Sequence, residues 1–507
     1  MRRGLLTTAA WLPLLLCALP VSAALTEAPR LAAVYASVLA AQFDRADMQL
    51  AQACPPAPTE ACAALGVISV WWQIQITPES TRLDGRFSDL AAKAVAAAER
   101  WTEREPNRGE AWFYLAASYA PRVQWLVLRG ERLAAARDGK KIKDALERAL
   151  QLDPALDDAY FGIGLYHYYA DVAPTTAKIL RWLLFLPGGD RVKGLQEMLQ
   201  ARQRGVLLKG EAEYQLHLIY LWYEQQPARA LELLRELDSR YPTNPLFIQR
   251  IAEVEDVYRH DRSASALAWQ LLLERARAGR VPDAPRQAIR ARLALAEHLD
   301  ALYETDRAIE QLNAVLDADA GVASRVDLAR AQWQLGVAYD RLGQRPRALN
   351  AYTVAIDQAP SSDATLRGRI REAMRRAPDV KARDAYRLSL EGWRAFERGA
   401  LEAAAAALTR AIELDPLDEI ARYRFARVLT ARGDSIRAKE QLERLIRAHV
   451  APPFVLASAY VAYAQLLERD GDRLHAIENY RAAADLVGGD TRARDDGRAA
   501  LKRLGAG

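Results

Sequence analysis

The chain has 507 residues, of which 27% are charged and 51% hydrophobic, a composition that excludes intrinsic disorder and predicts an ordered, globular protein. Its 70 basic and 65 acidic residues give a net charge of +5, or +3 once Arg2 and Arg3 are set aside (68 against 65). So even a balance gives no electrostatic case for nucleic acid or an anionic membrane surface as partner.

The amino-terminal residues read as an address. Arg2 and Arg3 form a basic start, residues 5–20 an apolar stretch, and Val21-Ser22-Ala23 a small-residue cleavage site, so residues 1–23 are predicted to be a signal peptide. Cys17 follows Leu16, where an acylated cysteine needs a small residue before it, so lipidation is not expected. No later apolar stretch reaches the roughly 18 to 20 residues that span a bilayer. The best, residues 61–72, is soon interrupted by Gln73 and Gln75. The mature protein is therefore expected to be soluble and exported, either periplasmic or secreted.

Loss of the signal leaves Cys54 and Cys62, an even number for an oxidising compartment. Pro55, Pro56 and Pro58 between them prevent a continuous helix. The segment is predicted to be the turn of the first hairpin, closed by one disulfide.

Residues 24–277 are predicted to form an irregular block of helix pairs. A helix from Cys62 to Ile76 is followed by one carrying Ala94, Ala98 and Trp101, which stops before Pro106. Trp112, Leu115, Ala116 and Tyr119 mark the next first helix; its partner, Ile142 to Ala149 before Pro154, arrives only after an insertion. Gly164 and His167 open another, separated by a second insertion from a helix beginning near Asp190. That insertion holds the run Leu183-Leu184-Phe185-Leu186-Pro187-Gly188-Gly189-Asp190, in which glycine is expected to end one helix and Asp190 to cap the next. Further pairs follow about Leu218 and, most weakly, over residues 247–276. A hinge is expected at 278–288, where Gly279, Pro282 and Pro285 cluster. Regular units then occupy 289–360, an irregular connector with an extra helix from Asp363 to Arg376 occupies 361–383, units resume over 384–500, and 501–507 form a tail.

The regular units show the rule. Gly336 is followed by Tyr339, Ala348, Tyr352, Ala355 and Pro360, at offsets of 3, 12, 16, 19 and 24; from Gly392 the same offsets reach Ala395, Ala404, Leu408, Ala411 and Pro416. Ala296, Ala426 and Ala464 open similar runs. Physically, the first helix needs a small residue where the second packs closest, then a filler one turn along the same face. Proline stops the second helix. Each hairpin has apolar residues on more than one side, so it must stack on a neighbour to bury them. About ten such units are counted.

This spacing resembles the tetratricopeptide repeat, over nearly all of the chain after the signal. The resemblance implies an all-α, right-handed superhelical solenoid of antiparallel helix pairs whose first helices line an open concave groove. In that family the exposed groove positions lie at offsets of −6, −3, +1, +4 and +5 from the small packing residue. Transferred here, they give Arg330, Trp333, Asp340 and Arg341 around Gly336, Tyr386, Trp393 and Phe396 around Gly392, and Tyr423 and Arg427 around Ala426. A second candidate patch consists of Phe161, Tyr168 and Tyr169 around Gly164, with Trp222 and Tyr223 around Leu218. The function implied is an exported, non-catalytic adaptor that holds an extended or helical segment of a cell-envelope protein. The alternative is a glycan or small-ligand receptor in which Tyr168, Tyr169, Trp222 and Tyr223 stack on the ligand.

Catalytic patterns are lacking. The histidines are His167, His217, His260, His298, His449 and His475, no two within a turn of each other and none followed by glutamate, so no metal is expected. His167 and His298 fall in or beside the buried register and are expected to be packed and hydrogen-bonded. Gly139-Lys140 resembles the end of a phosphate loop, but Lys141 stands where the hydroxyl should be and Ala134 where the first glycine should be. Gly162 and Gly164 lack the third glycine of a dinucleotide fingerprint, so no cofactor is expected. There is no Gly-x-Ser-x-Gly elbow or Ser-x-x-Lys pair. An enzyme would need a spatial constellation that sequence order conceals. The arginine-rich run from Arg369 to Arg376 is expected to be a solvated helix face.

Overall fold

The small residues that define the repeat lie where paired helices come closest. A Cβ placed on Gly336 would sit 2.3 Å from Tyr352 Cε1, and one on Gly392 would sit 2.7 Å from Leu408 Cγ and 3.1 Å from the carbonyl oxygen of Ala404. The partners are the residues expected from the offsets, sixteen and twelve positions on. Only a hydrogen at the α-carbon allows this approach.

The computed structural model describes residues 25–172, 188–319, 321–376, 379–448 and 450–507. Residues 1–23 of the expected signal peptide, residues 183–187 of the insertion and His449 lie outside the described residues. The described residues form twenty-four α-helices and no strand, and they divide into two compact units.

The first unit comprises residues 25–38 and 43–212. It holds α1 (Ala28–Leu39), α2 (Phe43–Ala53), α3 (Thr59–Ile76), α4 (Asp84–Arg104), α5 (Gly109–Leu128), α6 (Arg132–Leu152), α7 (Ala159–Val172) and α8 (Arg191–Arg204). Here α3 packs on α4, α5 on α6 and α7 on α8, and α3 also touches α5. Cys54 and Cys62 are disulfide-bonded, with Cα atoms 6.5 Å apart. The bridge closes the turn between α2 and α3, one helix later than a first-hairpin turn. Asp190 caps α8 by accepting a hydrogen bond from the Lys193 amide at 2.9 Å, as its position after the glycine pair predicts.

The second unit comprises residues 39–42 and 213–507. Its helices are α9 (Lys209–Trp222, which starts at the end of the first unit), α10 (Pro227–Arg240), α11 (Pro245–Val257), α12 (Arg262–Arg277), α13 (Ala284–Ala301) and α14 (Thr305–Leu316). They continue as α15 (Arg325–Arg341), α16 (Arg345–Gln358), α17 (Ala364–Arg375), α18 (Val380–Glu397), α19 (Leu401–Leu414), α20 (Glu419–Ala431), α21 (Ser435–Ala448), α22 (Pro453–Arg469), α23 (Arg473–Asp485) and α24 (Thr491–Arg503). In the pairs α11–α12, α13–α14, α15–α16, α18–α19, α20–α21 and α22–α23 the first helix packs on the second, and first helices also touch one another in the series α13, α15, α18, α20, α22 and α24. α17 stands outside that series and buries Leu366 and Ile370 against Ala329, Tyr352 and Ala355.

Two expectations about boundaries are revised. The segment expected as a hinge is a short turn plus the start of α13, and α12 and α13 pack against each other across it. The division between compact units falls instead at 212/213. Residues 501–503, expected as tail, complete α24, and Leu501 is buried.

The turns between first and second helices reuse one conformation. Gly343, Gly399, Gly433 and Gly471 take φ of 74°, 77°, 82° and 86°; the corresponding residue after α13 is Tyr303, with φ of 62°. A bulky residue in this left-handed region is strained by about 1–3 kcal/mol. Its ring is held by packing, 5.6 Å from that of Tyr386 and 6.3 Å from that of Phe454.

These turns alter the open wall that the resemblance implies. The turn before α14 reaches α18, α20 and α22: Arg394 pairs with Asp306, and Arg424 donates to the Tyr303 carbonyl at 2.9 Å. The turn before α12 reaches α24, where Arg494 forms a buried ion pair with Asp261 and the Ser263 and Thr491 hydroxyls lie 2.9 Å apart. The inner wall of the second unit is thus filled over part of its length by its own turns, because the coil returns on itself. Among the described residues no helix is long and apolar enough to cross a membrane.

Candidate partner-binding site

Four helices and one turn line a cavity of ≈ 750 Å³ in the second unit, α16 contributing Tyr352. From α15 come Trp333, Val337, Asp340 and Arg341, spaced so that one face of the helix presents all four. Ser324 fixes where α15 starts: its hydroxyl accepts from the Asp327 amide at 3.2 Å while Asp327 accepts from the Ser324 amide at 2.9 Å. From α18 come Ala382, Arg383 and Tyr386, preceded by its cap Asp379, which accepts from the Ala382 amide at 3.0 Å. α17 supplies Arg369, Glu372 and Ala373, and Asp363 caps it through the Leu366 amide at 2.9 Å. Tyr303 supplies the last wall.

A chain of polar contacts fixes these walls. The Arg341 guanidinium lies 3.1 Å from the Asp300 carboxylate and over the rings of Tyr303 and Tyr386, at 4.9 and 5.9 Å from their centroids. The Tyr386 hydroxyl donates to the Tyr303 carbonyl at 3.0 Å. Burial raises the Tyr386 phenol above its ordinary pKa, although Arg424 and Arg341 oppose the shift. Behind this layer Arg345 donates to Asp340 at 2.6 Å and to the carbonyls of Ala373 and Met374 at 3.2 and 2.5 Å. Arg345 thereby satisfies the last turn of α17 and ties that extra helix to the repeat. The Tyr352 hydroxyl donates to the same Asp340 carboxylate at 3.0 Å, and burial and that anion raise its pKa.

Of the residues expected to contact a partner, Trp333 and Arg341 are half-buried and line the cavity. Tyr386 also lines it but is only 5% exposed, so it is part of the wall rather than a side chain standing in solvent; the turn before α14 covers it. Trp393 and Phe396 are half-buried with ring centroids 5.0 Å apart, and Arg424 lies over Trp393. Tyr423 is half-buried and accepts from the exposed Arg427 at 3.1 Å; Arg330 is exposed. None of these last five lines the cavity.

The second expected patch is revised more heavily. Phe161 and Tyr168 are buried, Tyr168 completely. α8 packs across that face so closely that a Cβ on Gly194 would meet the Tyr168 amide nitrogen at 2.6 Å. Tyr169 is half-buried. Trp222 and Tyr223 are exposed, at 55% and 39%, and belong to the second unit while the other three belong to the first.

Several lining residues escaped the transferred offsets, among them Tyr303, Arg369 and Arg383. Tyr303 sits in a turn, and its signal was an aromatic residue in the slot that other hairpins fill with glycine. Arg369 is exposed, as a solvated face predicts, yet its guanidinium lies 5.8 Å from the Trp333 ring and lines the cavity. Among the described histidines, His167 lies 2.7 Å from Glu197, His475 lies 2.8 Å from Asp472, His217 is buried and His260 is exposed. His298 Nε2 is 3.0 Å from Ser265 Oγ, but Ser265 is fully buried, so this pair does not meet solvent.

From α13 to α24 each first helix contacts the next first helix, and α13, α15, α18, α20 and α22 each pack on a second helix, the arrangement of a tetratricopeptide-like helical solenoid. No protein-family model matches the sequence, and no curated protein matches it. Among solved structures it is similar to a tetratricopeptide repeat protein from Parabacteroides merdae (14% identity, covering 58% of this chain and 98% of that one, TM-score 0.25). It is also similar to the TPR domain of P58(IPK) (14% identity, 85% and 97% covered, TM-score 0.23) and to apo RapI (13% identity, 77% and 99% covered, TM-score 0.35). At such values the repeat assignment rests on the chain's own helix contacts.

Proposed function

We propose that this chain is an exported, non-catalytic adaptor that holds an extended or helical segment of a cell-envelope protein against α15, α18 and α20. The observation that carries the reading is convergence. Trp333, Arg341 and Tyr386 surround one cavity, although they were selected from repeats more than fifty residues apart. Trp393, Phe396, Tyr423 and Arg427 extend the aromatic and arginine surface along the neighbouring first helices. Such side chains dominate binding hot spots, each worth about 2 kcal/mol or more when truncated. Export rests on reading residues 1–23 as a cleaved signal.

The test is affinity capture of the exported protein from its native envelope, with partners identified by mass spectrometry. Trp393→Ala and Arg341→Ala should each weaken capture about 30-fold with the helical circular dichroism unchanged. Capture that survives both substitutions and is lost only on unfolding would refute the site. For the address, amino-terminal sequencing of the periplasmic protein should begin at Ala24.

A further inference from the structure

The cavity owes one wall to a helix that the repeat does not require, and its charges do not cancel. Arg341 is matched by Asp300 at 3.1 Å, Asp340 by Arg345 at 2.6 Å, and Glu372 by Arg375 at 2.9 Å. What remains on the lining is Arg369, Arg376 and Arg383, none with a carboxylate within 4.0 Å among the described residues, against Asp379 alone. Three cations against one anion leave a surplus of two positive charges. Asp379 is moreover engaged as the cap of α18.

Beside these cations stand the rings of Trp333, Tyr303 and Tyr386, with Arg369 over Trp333. Aromatic walls alone would accept any apolar side chain. Unmatched guanidinium groups facing a partly enclosed space of reduced dielectric reject a cation and favour an anion. Arginine is also the side chain best suited to a planar carboxylate, because its donors form a rigid fork.

We infer that the partner segment taken up here carries an acidic side chain next to an apolar one, the carboxylate received by Arg369 and Arg383 and the apolar group set against Trp333 and Tyr303. This rests on the adaptor reading and adds the chemistry of its partner. Because Arg369 belongs to α17 and Arg383 to α18, this selectivity needs the insertion as well as the repeat.

The experiment is selection from a random peptide library on the immobilised full chain, with the Arg369→Glu/Arg383→Glu protein selected in parallel. Enrichment of aspartate or glutamate beside an apolar residue, lost on the charge-reversed protein, supports the inference. Individual selected peptides should bind Arg369→Gln and Arg383→Gln at least about ten-fold more weakly, and their affinity for the unmodified chain should fall as salt rises. The glutamine variants keep the reading testable if the double reversal does not fold. Enrichment of peptides without acidic residues that still require Trp333 overturns the inference and leaves the adaptor reading standing. Failure to enrich any peptide overturns both.

Discussion

Gly336→Ala and Gly368→Ala should change stability in opposite directions, although both replace a glycine inside a helix. At Gly336 the new Cβ would lie 2.3 Å from Tyr352 Cε1 and 2.5 Å from Cδ1, against 3.4 Å for ordinary contact, so the ring must yield by about 1 Å. Tyr352 cannot do so freely. It is 1% exposed and its hydroxyl is tied to Asp340 at 3.0 Å. Overpacking of this kind costs about 1–3 kcal/mol, from which the better helix propensity of alanine recovers at most about 1 kcal/mol. The expected net loss is up to about 2 kcal/mol. At Gly368, in α17, nothing lies within 4 Å of the new Cβ, so the propensity gain of up to about 1 kcal/mol stands alone. Urea unfolding of the full chain followed by far-ultraviolet circular dichroism, at constant slope, reads both differences. The double substitution Gly336→Ala/Tyr352→Leu removes the ring that obstructs the new methyl and should cost less than the sum of the two single changes. A Gly336→Ala protein as stable as Gly368→Ala would refute the claim that this glycine is demanded by helix contact.

His217 is 1% exposed, and burial pushes its pKa down to about 3. The folded state therefore refuses a proton that the unfolded chain accepts near 6.5, so stability is full above that value and falls as the pH drops, by about 2 kcal/mol at pH 5; His217→Gln should flatten that part of the stability profile, and an unchanged profile would count against the assignment. Asp261→Asn retains an acceptor for capping α12 but leaves Arg494 buried without its counter-charge, which should cost about 3 kcal/mol and speed amide exchange in α24. A change below about 0.5 kcal/mol would mean that the pair is solvated. The eight-residue separation of Cys54 and Cys62 predicts a loss of about 2–3 kcal/mol in the first unit on reduction; thiol titration of the denatured, unreduced protein should find neither cysteine free.

What could be read from the sequence was whatever depends on one hairpin. The contact of Gly336 with Tyr352, the cap at Asp190, the extra helix α17 and the bridge between Cys54 and Cys62 all involve residues within about twenty positions of one another. Burial at the candidate site depends on longer returns of the chain. Tyr386 lies on the correct face of α18, but the Tyr303 turn that covers it comes from 83 residues upstream. Tyr168 likewise has the expected register and is covered by α8, which arrives from beyond an insertion whose course the repeat does not specify. The offset from a small packing residue identifies a face of a helix. It carries no record of which distant turn occupies that face, and so Trp333 and Arg341 were found at the cavity while Tyr303 and Arg369 were not.

The link between Asp261 and Arg494 changes how the second unit should come apart. A linear array loses its terminal repeats one at a time, since each contacts only its neighbours. Here the last helix is also a neighbour of α12, 233 residues earlier, so shortening the chain at its carboxyl end uncovers two places at once. The stretch from α12 to α24 should melt as a clasped ring, with those two helices losing protection together rather than α24 fraying alone.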